Sequence, residues 1–149
     1  MKILQALPAL HSGGVERGTV EFAAELVKRG HQSFVVSNGG PMAEQVRGQG
    51  STHIHMPIHR KSPASFGQIR PMRRLLEELQ PDIVHVRSRM PAWIVYLAWR
   101  NLPPAARPAI GSTFHGMYSV NPPCPRQARS KQIPRQSGTR ATAMRTTAL

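Results

Sequence analysis

Between Met1 and Asn121 short apolar runs of strand character alternate with helix-like stretches, and Gly or Pro breaks separate them. Strands that alternate with helices return in the same direction. The pattern therefore implies an α/β fold: a Rossmann-like, mainly parallel sheet with helices on both faces. Residues 2–7 read as a first strand and His11-Ser12-Gly13-Gly14 as a turn. Residues 15–29 read as a helix, with Val15, Phe22, Ala23, Leu26 and Val27 largely on one face. Glu16, Glu21 and Glu25 precede Lys28 and Arg29 in the sense that suits the helix dipole, and Gly30 is a natural stop. Residues 33–37 form a second strand, 41–49 a short helix and 52–58 a third strand. Ser65 and Gln68 fit a capping box before a helix that ends near Leu79, with Phe66, Ile69, Met72, Leu76 and Leu79 as its apolar stripe. Pro71 falls inside that helix. A proline in a helix interior costs about 3 kcal/mol, so a bend or a late start is expected. Residues 82–86 are a fourth strand, 91–100 a fourth helix with Pro91 in its first turn, and 109–114 a fifth strand.

The alternation stops after Asn121. Residues 122–149 carry no acidic residue and no sustained apolar periodicity, yet they hold +6 of the chain's formal charge of +13. The expected organisation is a folded domain over 1–121 and a disordered basic tail over 122–149. The tail is rich in Pro, Arg, Ser, Thr, Gln and Ala, as GC-rich DNA read out of frame would be. A natural basic terminus is the alternative. Such a basic chain invites a competing reading, a small nucleic-acid or polyanion-binding protein. Against it, the tail lacks interleaved aromatics and any RNA- or DNA-binding motif, so nucleic acid is not the expected partner. The single cysteine, Cys124, excludes an intrachain disulfide and fits a reducing, cytoplasmic setting. The opening MKILQALPAL carries Gln5 and Pro8 and reads as a strand rather than a signal peptide. The most apolar stretch, Trp93 to Trp99, is far shorter than the roughly 20 residues that span a bilayer.

Ligands of open α/β sheets bind beyond the carboxyl ends of the strands. Three segments lie there: His11-Ser12-Gly13-Gly14-Val15-Glu16, Arg87-Ser88-Arg89 and His115-Gly116-Met117-Tyr118. A Gly-Gly turn at a helix start lets backbone amides approach phosphate or sugar oxygens. A plain tight turn is the equally available reading. A dinucleotide site fits poorly, because Gly13, Gly14 and Gly18 do not spell G-x-G-x-x-G and the second strand ends in Ser37-Asn38 rather than an acid.

The segments GGVERGTVEFAAELVKRGH, followed by FVVS, then PDIVHVRSRMPAWIVYLAWR and TFHGMYS, occur in order. Together they resemble the N-terminal half of the retaining, GT-B-fold glycosyltransferases of family 4 type, over roughly residues 1–121. The resemblance implies two Rossmann-like domains across a cleft, the N-terminal one for the acceptor and the C-terminal one for the nucleotide sugar. It implies that Gly13 and Gly14 approach the donor phosphate or the transferred sugar. Arg87 and Ser88 would line the acceptor side, together with Gly116 and Tyr118, and His115 would stand at the reacting centre. From the residues alone His115 reads rather as a strand-end histidine bonded to backbone, and it is the resemblance that favours the site. The resemblance implies a saccharide or lipid-linked acceptor, front-face attack assisted by the leaving phosphate, and neither metal nor resident cofactor. Nothing after Tyr118 matches the donor-binding half. The fragment is therefore expected to be inactive alone, or to work with a separately encoded donor domain.

His53, His55 and His59 suggest a metal only weakly, since no Cys or acid joins them at ligand spacing. Arg60, Lys61, Arg70, Arg73 and Arg74 form a basic region around the third helix. It reads either as a solvated face or as contact with an anionic membrane, peripheral to the cytoplasmic side.

Overall fold

A computed structural model of the chain describes residues 1–59 and 63–113. Five parallel strands form one sheet in the order β3-β2-β1-β4-β5. They are β1 (Lys2–Ala6), β2 (Gln32–Ser37), β3 (Thr52–His55), β4 (Ile83–Val86) and β5 (Ala109–Ser112). Between them run α1 (Gly14–Lys28), α2 (Ala43–Gly48), α3 (Ile69–Leu79) and α4 (Arg89–Arg100). β1 is central, and its run Ile3-Leu4-Gln5-Ala6 is buried on both faces. That is why its apolar residues do not alternate with exposed polar ones, and its one polar member, Gln5, is itself buried.

Two cores flank the sheet. Leu4, Ala6, Val36, Val84 and Val86 meet Met72 and Leu76 of α3 and Ile94, Val95 and Ala98 of α4. On the other face Leu7 and Val35 meet Val20 and Ala23 of α1 and Val46 of α2. Ala6 lies opposite both Val36 and Val86, and Val86 opposite Ser112. The carboxyl ends of these four strands are therefore level, and the loops that follow them share one edge.

The expected elements are present, with three corrections. The inner face of α1 is Thr19, Val20, Ala23 and Leu26. Phe22 is 41% exposed, because α1 lies over β1 and β2 and the ring overhangs β4 instead. The expected capping box does not start α3. Pro63–Gln68 form a 3₁₀ turn, the helix begins at Ile69, and no side chain caps it. This is the late start that Pro71 demands. As third residue of α3 its missing N–H falls among those without an intrahelical acceptor. β3 stops at His55, where the Ile58 amide donates to the Met56 carbonyl at 2.8 Å in a tight turn around Pro57. No helix among the described residues is long and apolar enough to cross a membrane. The expectations for residues 122–149, and for Arg60, Lys61, His115, Gly116 and Tyr118, lie outside the described residues.

Candidate functional site

In this strand order the chain moves outward from β1 to β2 and β3, then crosses to β4 on the other side. The crevice between the carboxyl ends of β1 and β4 is the switch point, where neighbouring loops part in opposite directions. Gly13 and Gly14 stand on its β1 side, Arg87 and Ser88 on its β4 side. The Arg87 amide donates to the Ala6 carbonyl at 3.0 Å, which fixes the β4 loop against the end of β1.

Two helices begin at this crevice. Gly13 is the N-cap of α1 and has no side chain to offer; Ser88 is the N-cap of α4, and its hydroxyl does not bond back to its helix. The first amides of both helices therefore lack side-chain acceptors and carry the positive end of the helix dipole. The Glu16 carboxylate folds back toward the α1 start, and a Cβ on Gly13 would collide with it. A Cβ on Gly14 meets nothing within 4 Å. The open side of the turn is thus at Gly14, where a ligand can reach the backbone.

The Arg87 side chain runs from β4 over α1. Its guanidinium lies 5.8 Å from the Phe22 ring centroid. A Cβ on Gly18 would stand 3.5 Å from its Nη1. Phe22 in turn packs edge-on against His85, with centroids 6.1 Å apart. Arg87 Nε is buried without a hydrogen-bond partner among the described residues, and burial pulls the guanidinium pKa below its ordinary value. On the same sheet face Gln5 donates to the Thr19 carbonyl at 3.3 Å and leaves its own Oε1 buried and unpartnered. Both atoms are buried beside α1, so the groups a ligand can reach are the two helix starts, the Glu16 carboxylate and the rest of the half-buried Arg87 guanidinium, a set suited to a hydroxyl-rich ligand. A phosphate would have to tolerate Glu16.

Backbone hydrogen bonds hold the crevice loop in place. Leu10 donates to the Gly39 carbonyl at 2.8 Å, Met42 to Leu10 at 3.1 Å and Asn38 to Pro8 at 3.0 Å. Gly40 has φ +140, and a Cβ there would overlap the Leu10 carbonyl. Only glycine fits this approach of the β2 loop to the β1 loop. Sequence reasoning missed the roles of Gly18, Phe22 and Gly40. A glycine inside a helical pattern, as at Gly18, is the one signal that pointed to close packing. His53 Nε2 lies 2.8 Å from Ser37 Oγ and its Nδ1 3.3 Å from Arg47, which in turn pairs with Glu44.

Residues 12–147 match the family model described as Glycosyltransferase Family 4. The match opens in the Gly-Gly turn and runs past Asn121 into the stretch read as a tail. Among solved structures, a glycosyltransferase from Rickettsia africae ESF-5 is similar, with 38% identity and a TM-score of 0.67. The similarity covers 79% of this chain and 30% of that one, so the chain spans less than a third of that protein's length. No curated protein matches the chain.

Proposed function

The chain belongs to Glycosyltransferase Family 4, and from that premise we propose that it is the acceptor-side domain of a nucleotide-sugar-dependent enzyme. One observation supports this most: two helix starts without side-chain caps, Gly13-Gly14 and Ser88, face one crevice beside the half-buried Arg87. In this reading the amides after Gly13 approach the donor phosphate or the transferred sugar. Arg87 and Ser88 hold hydroxyls of the acceptor, and the family resemblance gives His115 a catalytic role and Gly116 and Tyr118 substrate-binding ones. The acceptor hydroxyl attacks the anomeric carbon as the bond to the nucleotide diphosphate breaks. Its proton passes to the leaving phosphate, and configuration is retained. The acceptor is a saccharide or lipid-linked saccharide of cell-envelope or lipopolysaccharide synthesis, presented at the cytoplasmic face.

Half a cleft cannot complete this reaction. Near-attack positioning of donor and acceptor is worth about 7–11 kcal/mol, and the departing diphosphate needs charges aimed at it. These 149 residues by themselves are therefore expected to bind the acceptor without transferring sugar. The test combines a radiolabelled nucleotide-sugar pool with a panel of saccharide and lipid-linked acceptors. The expected result is measurable acceptor binding with no transfer. Transfer by the purified chain without any partner contradicts the inactivity claim. Absence of binding to every acceptor contradicts the acceptor-side assignment.

A further inference from the structure

The outward face of α4 is not the polar face that a surface helix presents to water. Arg89, Trp93, Tyr96 and Arg100 fall at three- and four-residue spacing, opposite the buried Pro91, Ile94, Val95 and Ala98. Trp93 is 57% exposed and Tyr96 44%. The rings hold one another: Trp93 meets Tyr96 edge-on at 6.3 Å, and Tyr96 stacks on Trp99 at 6.1 Å. Arg107 lies over Trp99 at 4.8 Å and donates to the Arg100 carbonyl at 2.9 Å. The ladder is preformed, so its rings lose little rotamer freedom on contact.

We propose that this face of α4 is a docking surface for an anionic lipid bilayer. Tryptophan and tyrosine suit the headgroup layer, where the ring is sheltered and the polar tip stays wet. Arginines beside them reach lipid phosphates while their stems cover apolar surface. No acidic residue lies on α4. α3 packs beside α4 in the same core and adds the exposed Arg70, Arg73 and Arg74, of which Arg73 pairs with Glu77. Phe66 in the preceding 3₁₀ turn is 46% exposed. Aromatic anchors of protein interfaces fill pockets; these stand on the convex back of a helix, which fits a soft planar surface. The stripe begins one residue after Ser88, so docking brings the crevice to the bilayer. Under the proposed function this suits a lipid-linked acceptor, although the docking argument stands without it.

The basic residues 122–149 can bind anionic vesicles by charge alone, so the test must report on α4 itself. The chain has two tryptophans, and Trp99→Phe leaves Trp93 as the sole reporter. On vesicles of phosphatidylcholine with phosphatidylglycerol, Trp93 emission should shift to the blue and be quenched by brominated acyl chains. Trp93→Phe, which leaves Trp99, should show neither effect. As a second measurement, Trp93→Ser with Tyr96→Ser should weaken co-sedimentation with these vesicles by about tenfold, the loss expected for a partly buried aromatic. High salt should weaken the wild type as well. Unchanged Trp93 emission on vesicles that the chain does bind would overturn the proposal. So would equal co-sedimentation of the double variant and wild type, or self-association abolished by that variant, which would assign the stripe to a second copy.

Discussion

Two concave regions meet at α1 and β4, and they differ in almost every respect. The crevice at the carboxyl edge is built largely from backbone: Gly13, Gly14 and Ser88 at two helix starts, with Glu16 and Arg87 as its charged side chains. The groove on the adjoining sheet face is apolar, about 380 Å³, lined by Met1, Ile3, Phe22, Leu26, His31, Ile83, His85 and Gly111. It runs over the first halves of β1 and β4, away from the edge where open α/β sheets bind ligands. Among the described residues α4 covers one face of β4, β5 is exposed at the sheet edge with Ile110 at 39%, and Phe22 and Leu26 of α1 border the other face. The groove is a sheet face with little cover, and a change in it should act on stability. The crevice displays unpaired polar groups, and a change in it should act on binding.

The sharpest separation comes from the groove side. Leu26→Ala removes a nearly buried side chain that borders it. We expect about 2 kcal/mol of destabilisation in urea unfolding, the low end for such truncations because one side is already open. Saccharide affinity of the folded fraction should be unchanged. Arg87→Ala is the counterpart on the crevice side. Acceptor affinity should fall about tenfold, as for loss of one charged hydrogen bond, while the urea midpoint barely moves. A Leu26 variant with weakened binding, or an Arg87 variant with wild-type binding, would break the distinction.

Gly14→Ala divides the two effects within one residue. A Cβ there meets no protein atom. Stability should rise by about 0.4–1 kcal/mol through the unfolded chain, and binding should weaken a few-fold by crowding the open side of the turn. Unaltered binding would mean that no ligand approaches this backbone.

The smallest expected effect concerns pH, and it lies outside both regions. Burial lowers the His53 pKa below 6.5, and Arg47 and His55 add to the shift. The folded state thus binds this proton more weakly than the unfolded state. The stability that follows is complete above the unfolded pKa and is lost as pH falls from there to the lowered folded value. Comparing urea midpoints at pH 7.5 and 5.5 for wild type and His53→Gln isolates it. The wild type should lose only slightly more, since the ring is half-buried and solvent screens part of its interactions.

Local pattern was enough to read the strand and helix series, the parallel sheet and the positions of Gly13, Gly14, Arg87 and Ser88 at strand ends. Those features depend on spacing within one element. Phe22 was misread because its helical position says only that it can face a sheet; whether a strand lies beneath it depends on where α1 crosses. Gly18 gives room to Arg87 from another strand, and Gly40 approaches Leu10 from another loop. No local periodicity carries either relation. The α3 start was misplaced for a different reason. Ser65 and Gln68 had the right spacing for a capping box, but the chain there forms a 3₁₀ turn, and Pro71 is better tolerated in the first turn of a later helix.

The central claim is that this domain binds its acceptor at the switch point between β1 and β4. Backbone amide shifts of the isotopically labelled 149-residue chain, recorded during titration with a panel of oligosaccharides, test it most directly. The expected shifts concentrate at Gly13, Gly14, Val15, Glu16, Arg87 and Ser88, and they weaken in Arg87→Ala. Shifts confined to Phe22, Leu26, His31 and Gly111 would place binding in the groove instead and contradict the claim.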